Sequence, residues 1–172
     1  MDELKSPIFT VISPSYCPIS FDISLMKQKE ISFFVPGNPF AKQRPRARKI
    51  GRFISVYTPN ETKKYEEKVR IEYNKWYRDS KLENDLTVDI EGIFSIPKST
   101  PKKYISDMVS GIIPHTSKPD CDNMAKICLD ALNGVCYDDD SQITNLNISK
   151  KYGNNARVVI TIRENNSNGG NI

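Results

Sequence analysis

The sequence predicts one α+β domain in which a small β-sheet packs with helices. A chain of 172 residues, 38% of them hydrophobic, is long enough to bury its own core. The segment Leu86–Phe94 alternates apolar and polar residues through Ile90, which is the period of a half-buried strand. Other segments repeat apolar residues at steps of three and four, which is the period of an amphipathic helix. Strands and helices therefore occur together within one domain length.

The first half of the chain predicts a strand, a basic loop and a second, short strand. Residues 1–29 form a variable extension without a regular period. Ile31–Val35 is an apolar strand that ends at a turn rich in proline and glycine. The segment from Lys42 to Arg52 is too irregular for a helix, so we expect a mobile loop, and Phe53–Tyr57 follows it as a short strand.

A long helix should begin directly after this strand. Thr58 is its predicted N-cap, with Pro59 in the first turn and Glu61 completing a capping box. Its apolar face recurs at steps of four, four and three, and we expect it to face the core; it consists of Tyr65, Val69, Tyr73 and Trp76.

The second half predicts further strands and helices up to residue 164, followed by a disordered tail at 165–172. The domain itself is expected to span residues 30–164. Its later elements are a strand at Leu86–Phe94, a short helix to about Val109, a helix between Asp120 and Asn133, and a hairpin of Ile143–Lys150 with Ala156–Ile162.

The composition excludes several classes of protein. No apolar run approaches the ~20 residues of a membrane span, and the N-terminus lacks the pattern of a secretory signal. The four cysteines form no C-x-x-C pair and there is one histidine, which argues against a zinc site and for reduced thiols. We therefore expect a cytoplasmic protein.

Positive charge is concentrated in one part of the chain, although the net charge is only +4. Six basic residues and no acidic residue lie between Lys42 and Arg52, which suits a protein that binds a polyanion. Surface lysines elsewhere can contact phosphate or merely aid solubility. The candidate DNA-binding residues are Lys42, Arg44, Arg46, Arg48, Lys98, Lys102, Lys103 and Lys118.

The helix after Pro119 carries the residues that point to chemistry. Asp120 and Asp122 stand at its start, and Lys126 lies one turn further along, opposite the apolar stripe that begins at Met124. Carboxylate oxygens bind Mg²⁺, and a lysine can stabilise charge that develops on phosphate. A third carboxylate is available in the acidic run Asp138–Asp140. This set matches the needs of a Mg²⁺-dependent phosphodiester hydrolase.

The same residues also have ordinary structural interpretations. An aspartate at a helix N-terminus is a common cap, and Asp122 with Lys126 has the spacing of an i,i+4 ion pair. A run of aspartates is usually a solvated turn. His115, beside Pro114, is interpreted as a turn residue or phosphate contact rather than as a catalytic base.

A resemblance to a known family favours the chemical interpretation. The sequence resembles the RusA family of Holliday-junction resolvases from about Ile31 to Ile162. The motifs that carry the resemblance are Lys118-Pro-Asp-Cys-Asp-Asn-Met-Ala-Lys126, Asp130-Ala-Leu-Asn-Gly134, Tyr137-Asp-Asp-Asp-Ser-Gln-Ile143, and, more weakly, Pro36–Pro39, the basic segment with Tyr57–Pro59, and Ile96–Lys98 with Lys102 and Lys103.

The resemblance implies which residues act. Its active site corresponds to Asp120, Asp122, Lys126 and Asp140, with the three aspartates as ligands of Mg²⁺, or of Mn²⁺ as a substitute. It further implies a RusA-like α+β subunit with a mixed β-sheet, a homodimer, and paired nicks across a four-way DNA junction in recombination and repair. Asp130 is interpreted as structural.

The sequence therefore predicts a crossover junction endodeoxyribonuclease that acts on four-way or other branched DNA. Two alternatives remain open. One is a less selective nuclease for flaps and other branched DNA, and the other is a DNA-binding module without catalysis whose acidic cluster is only a turn.

Overall fold

The computed structural model of the chain describes residues 29–78 and 81–165. The predictions for the N-terminal extension and for most of the C-terminal tail lie outside these residues. The elements, in chain order, are β1 (Glu30–Pro36), β2 (Arg46–Ile50), β3 (Phe53–Tyr57), α1 (Asn60–Tyr77), β4 (Leu86–Ser95), α2 (Lys102–Val109), α3 (Cys121–Leu132), a 3₁₀ turn (Asp140–Gln142), β5 (Ile143–Gly153) and β6 (Arg157–Glu164).

The main sheet has four strands in the order β1-β6-β4-β5. Strand β4 pairs with β5 in parallel and with β6 antiparallel, and β1 is antiparallel to β6, so the sheet is mixed as predicted. The predicted hairpin of β5 and β6 is wrong, because β4 lies between these two strands. Residues 154–156 connect β5 to β6. These two strands lie ~9.5 Å apart, because β4 is between them, and a loop of three residues at ~3.5 Å per residue can span that distance. The residues between β5 and β6 reverse the direction of the chain, but they do not determine which strands pair.

Helices α1 and α3 pack together against one face of this sheet. Alternate residues of β1, β4 and β6 are buried beneath them, and Val69, Tyr73 and Met124 contribute from the helices to the same core. Gly92 in β4 allows the closest approach, since a Cβ atom built there would lie 2.6 Å from the sulfur of Met124. The sheet therefore fixes the depth at which α3 lies.

The other face of the sheet is polar. The Asp89 carboxylate accepts a hydrogen bond from Asn147 and pairs with Arg163, and these contacts hold the pKa of Asp89 below its usual value. Lys151 and Glu91 form a second ion pair on this face, 2.7 Å apart.

Helix α1 ends at Tyr77 as predicted, but its N-cap and the burial of Trp76 differ from the prediction. Its N-cap is Pro59, not Thr58, because Pro59 keeps an extended ψ of 143°. Glu61 closes no capping box and instead accepts a hydrogen bond from the side chain of Gln43, 2.8 Å away. Trp76 is 76% exposed, so its predicted place in the core is wrong. Tyr77 continues the inner face, with its hydroxyl bonded to the backbone of Ser32.

The basic segment is a β-hairpin rather than a loop. Strands β2 and β3 pair antiparallel, with Ile50 opposite Phe53 and Arg46 opposite Tyr57. Gly51 supplies the positive φ of +60° that the two-residue turn requires. The loop prediction was wrong because β2 alternates arginine with small residues and so lacks the apolar residues that usually mark a strand. Its partner is the β-branched and aromatic segment that follows, β3.

Among the described residues, no helix is both long and apolar enough to cross a membrane. Cys121, Cys128 and Cys136 are free thiols, and burial raises the pKa of Cys128 to about 12.

Candidate active site

Helix α3 presents its predicted polar side as expected. Six buried residues, from Met124 to Leu132, face the core, whereas Asp122 and Lys126 are exposed. Asp120 is the N-cap residue, yet its side chain makes no capping hydrogen bond. Asp122 and Lys126 form no ion pair within the described residues. The ordinary structural interpretations of these three residues therefore do not describe what their side chains do.

The acidic run divides into residues with structural contacts and one that faces the site. Asp138 pairs with Lys81. Asp139 caps the 3₁₀ turn and accepts a hydrogen bond from the Ser141 hydroxyl at 2.7 Å, which lowers the pKa of Asp139. Asp140 instead lines a pocket shared with α3. Asp140 is thus the member of the run that shares a pocket with Asp122 and Lys126, and its functional role stays a prediction.

Gln142 holds this acidic turn in place. Its side-chain oxygen accepts hydrogen bonds from the backbone N–H groups of Asp138 and Asp139, at 2.8 and 3.1 Å. Its side-chain nitrogen donates to carbonyls of residues 82–84, the closest being that of Glu83 at 2.9 Å. One amide thus joins the turn to the loop before β4. The motif containing Asp140 and Gln142 was visible in the sequence, but this role of the glutamine was not.

A pocket of about 300 Å³ brings the separated segments together. Its polar lining is Asp122, Lys126, Asp130 and Asp140, and its apolar wall comes from Ala125, Leu129, Leu146 and Ile148. Three of the four predicted active-site residues therefore line one pocket, although more than ten residues of chain separate Lys126 from Asp140.

Asp120 lies outside this pocket. It lines a second pocket of about 400 Å³, together with Lys42, Lys118 and Asn123. Within residues 29–78 and 81–165, no three acidic, histidine or cysteine side chains are grouped closely enough to hold a metal ion. The three predicted ligands thus border two pockets of this single chain.

The basic residues differ in how they are held. Lys42 pairs with Asp130, and its backbone N–H donates to the Asn123 carbonyl at 3.0 Å, so this lysine joins the hairpin to α3. The other seven candidate DNA-binding residues are exposed. They are Arg44, Arg46, Arg48, Lys98, Lys102, Lys103 and Lys118.

His115 is buried rather than exposed, so it is not placed to contact phosphate. Its ring stacks on the ring of Phe94, with 3.7 Å between the ring centroids, and packs edge-to-face with the ring of Tyr152, with 4.9 Å between the centroids. Burial is the main cause that lowers the pKa of His115, and the nearby Lys150 ammonium adds to it. The proline-flanked loop suggested exposure, but two aromatic rings from β4 and β5 cover it.

Lys150 is a site-supporting residue that sequence reasoning missed. Its ammonium donates to the carbonyls of Ser117 and Pro119, both at 2.9 Å. These carbonyls belong to the loop that delivers Asp120 to the start of α3. A lysine within a strand carries no sequence signal of this role.

Two comparisons relate the chain to known proteins. The family model described as "Endodeoxyribonuclease RusA" matches residues 36–163. The chain is also similar to "Uncharacterized protein YqaN" of Bacillus subtilis (strain 168), with 32% identity over 136 residues that cover 78% of this chain and 96% of that protein. The matched range contains every residue of both pockets described above.

Proposed function

The chain belongs to the RusA endodeoxyribonuclease family, and on this premise we propose that it is a Mg²⁺-dependent, structure-selective endonuclease that resolves Holliday junctions by paired symmetric nicks. The family acts on branched DNA junctions. The observation that supports the proposal most is the single pocket in which Asp122, Lys126 and Asp140 meet from two separate segments.

The carboxylates of the two pockets are of the chemical type that a hard divalent cation prefers, although the described residues of one chain do not group three of them closely enough to hold it. Carboxylate oxygens are the ligands that Mg²⁺ and Mn²⁺ prefer, and Asp122 and Asp140 both face the pocket. Asp120 lines the other pocket, is exposed and makes no capping bond at the helix start, and we propose that it would be the third ligand. When bound, the cation supplies an activated water and neutralises charge on the scissile phosphate.

The chain's own residues bind and orient the DNA around that phosphate. Lys126 is in no described ion pair and can donate to a phosphate oxygen as its negative charge grows. Asp130 is held by Lys42 and serves to fix the position of the hairpin rather than to bind metal. Exposed Arg44, Lys118 and their neighbours attract the DNA backbone towards the two pockets.

Paired symmetric nicks require two active sites related by a two-fold axis. One chain contributes one such pocket among its described residues. We therefore propose that the enzyme is a homodimer, that its pathway is recombination and repair, and that it acts in the cytoplasm, where a DNA substrate and reduced thiols coexist.

The decisive experiment measures cleavage of labelled substrates with Mg²⁺ and with EDTA. The pure protein should nick a four-way junction at symmetric positions only with Mg²⁺, and should leave linear duplex intact. Equal cleavage of flaps and junctions would instead support the less selective nuclease. Junction binding without any cleavage would support the non-catalytic module.

A further inference from the structure

The β2–β3 hairpin carries a set of exposed apolar side chains that the proposed chemistry does not use. Phe53 is 80% exposed, Ile54 75% and Val56 66%. Every side chain of β3 is exposed along its length. Exposed large apolar residues that cluster on one element indicate an interaction site.

The two faces of this hairpin have different chemistry. Residues directly opposite each other in an antiparallel pair share a face. Arg46 therefore lies beside Tyr57, and Arg48 beside Ser55, on the face that also bears Phe53. The other face pairs Ala47 with Val56 and Lys49 with Ile54. One face is thus aromatic and arginine-rich, and the other is mainly aliphatic.

The base of the hairpin is fastened beside the candidate active site. The Lys42–Asp130 pair and the Lys42–Asn123 backbone bond join it to α3, and the Gln43–Glu61 hydrogen bond joins it to α1. The tip at Gly51 and Arg52 is left to extend away from these anchors. A nucleic acid held at the active site can therefore reach the hairpin.

We infer that the hairpin is a wedge that enters branched DNA, with Phe53 stacking on a base exposed at the branch point. Aromatic rings stack on any base face, and apolar side chains inserted between bases unstack them. Within a duplex the base faces are covered by their neighbours, so a branch point offers Phe53 a site that linear DNA lacks. The inference rests on the proposed function, since it concerns how that same substrate is selected.

Charge favours DNA over a second copy of the chain as the occupant. The segment 41–60 contains no acidic residue, and Arg46 and Arg48 share the face of Phe53. A two-fold interface places a patch against its own copy, so these arginines would meet one another. A phosphate backbone instead neutralises them.

The test measures binding of Phe53→Ala, Phe53→Trp and Ile71→Ala to a four-way junction and to linear duplex in EDTA. Phe53→Ala should weaken junction binding by about tenfold or more and duplex binding by less than about twofold. Phe53→Trp should retain junction affinity. Ile71→Ala is the control, because Ile71 is an isoleucine on α1 that is 51% exposed and lies outside the hairpin, and it should bind as the wild type does.

A 2-aminopurine at the branch point reports whether the base there unstacks from its neighbours. Wild-type binding should raise its fluorescence as the base leaves its neighbours, and Phe53→Ala should abolish that rise. The wedge would be overturned if Phe53→Ala weakened junction and duplex binding equally, or if its junction affinity were unchanged. Loss of the dimer in Phe53→Ala, measured by light scattering, would also overturn it. If one of these results is found while the wild-type protein cleaves junctions, only the wedge fails and the proposed function stands. If the wild type does not prefer junctions at all, both fail.

Discussion

At the scale of single residues, the acidic run shows how three identical side chains acquire different roles. Asp138 is neutralised by Lys81, and Asp139 caps the turn and bonds Ser141. Asp140 faces the pocket of Asp122 and Lys126. Position within the turn, not residue type, determines which carboxylate is available for chemistry.

Asp140→Asn should therefore abolish cleavage without loss of junction binding. The substitution keeps the size of the side chain but removes the charge that holds a divalent ion. In EDTA the affinity should be equal or slightly higher, since one charge that repels phosphate is gone. Nicking assays and gel shifts on one protein preparation measure both effects.

Asp138→Asn is the control for this variant, because Asp138 pairs with Lys81 outside the pocket. It should affect cleavage far less. If Asp138→Asn abolishes resolution while Asp140→Asn retains it, the assignment of the third ligand is displaced by two residues.

Lys126→Ala should lower the cleavage rate at least ~10²-fold, which is typical of removing one donor that stabilises transition-state charge. The fold should persist, because Lys126 is exposed on α3. Lys126→Arg should restore activity only in part, since a planar guanidinium does not replace a compact ammonium. Single-turnover rates with circular dichroism as the folding check measure this. Near wild-type rates in either variant would contradict a catalytic role for Lys126.

At the scale of elements, the loop before α3 and the hairpin after β1 are the parts that supply the site and are least determined by local sequence. The loop is held by Lys150 of β5 and by the stacking of His115 on Phe94. The hairpin is held by Lys42 and Gln43. Both depend on contacts with residues distant in the chain.

Lys150→Met should reduce cleavage by about tenfold to a hundredfold, because a small displacement of a catalytic group is costly. The variant removes both bonds to the loop that delivers Asp120 but keeps the apolar stem of the side chain. We expect the Mg²⁺ concentration for half-maximal rate to rise, while binding in EDTA stays unchanged.

Lys150→Arg should recover part of the activity of Lys150→Met, and Lys151→Met serves as the neighbouring control. Lys151 pairs with Glu91 on the polar face of the sheet, away from this loop. A Lys150→Met enzyme with an unchanged Mg²⁺ dependence would show that the loop is fixed without this lysine.

Replacing Arg44, Arg46 and Arg48 together by glutamine should weaken junction binding and flatten its salt dependence. Each phosphate contact contributes about 0.9 to the slope of log K against log salt, so the slope should fall by up to ~2.7. Fluorescence anisotropy over a salt series measures it. Lys151→Gln, on the open sheet face, should leave the slope unchanged; an unchanged slope in the triple variant would show that the hairpin lies off the DNA.

At the scale of the whole molecule, one layer of helices covers one face of a mixed sheet and leaves the other face polar. A single chain presents one pocket with Asp122, Lys126 and Asp140 among its described residues. The proposed symmetric cutting of both strands would therefore require two chains to assemble.

We expect a dimer in solution, with a mass by light scattering of twice the 19.6 kDa of one chain. The measurement is made at micromolar concentration, with and without junction DNA. A monomeric mass combined with full junction resolution would contradict the two-site arrangement.

The sequence by itself determined the elements whose signals are local. Three predictions agree with the structure: the period-two pattern of β4, the apolar stripe of α3 and the end of α3 before Gly134. Each of these signals depends only on residues close together in the chain. The motifs in the sequence also contain Asp122, Lys126 and Asp140, which line one pocket, whereas Asp120 of the same motif lines another.

Only the tertiary structure decided the features that depend on contacts far apart in the chain. It placed β4 between β5 and β6, turned the basic segment into a hairpin, exposed Trp76 and buried His115. It also gave Gln142 and Lys150 their roles as anchors. Strand pairing and burial are determined by which surfaces meet in the folded chain, and the free energy of those contacts outweighs the local preference of any one segment.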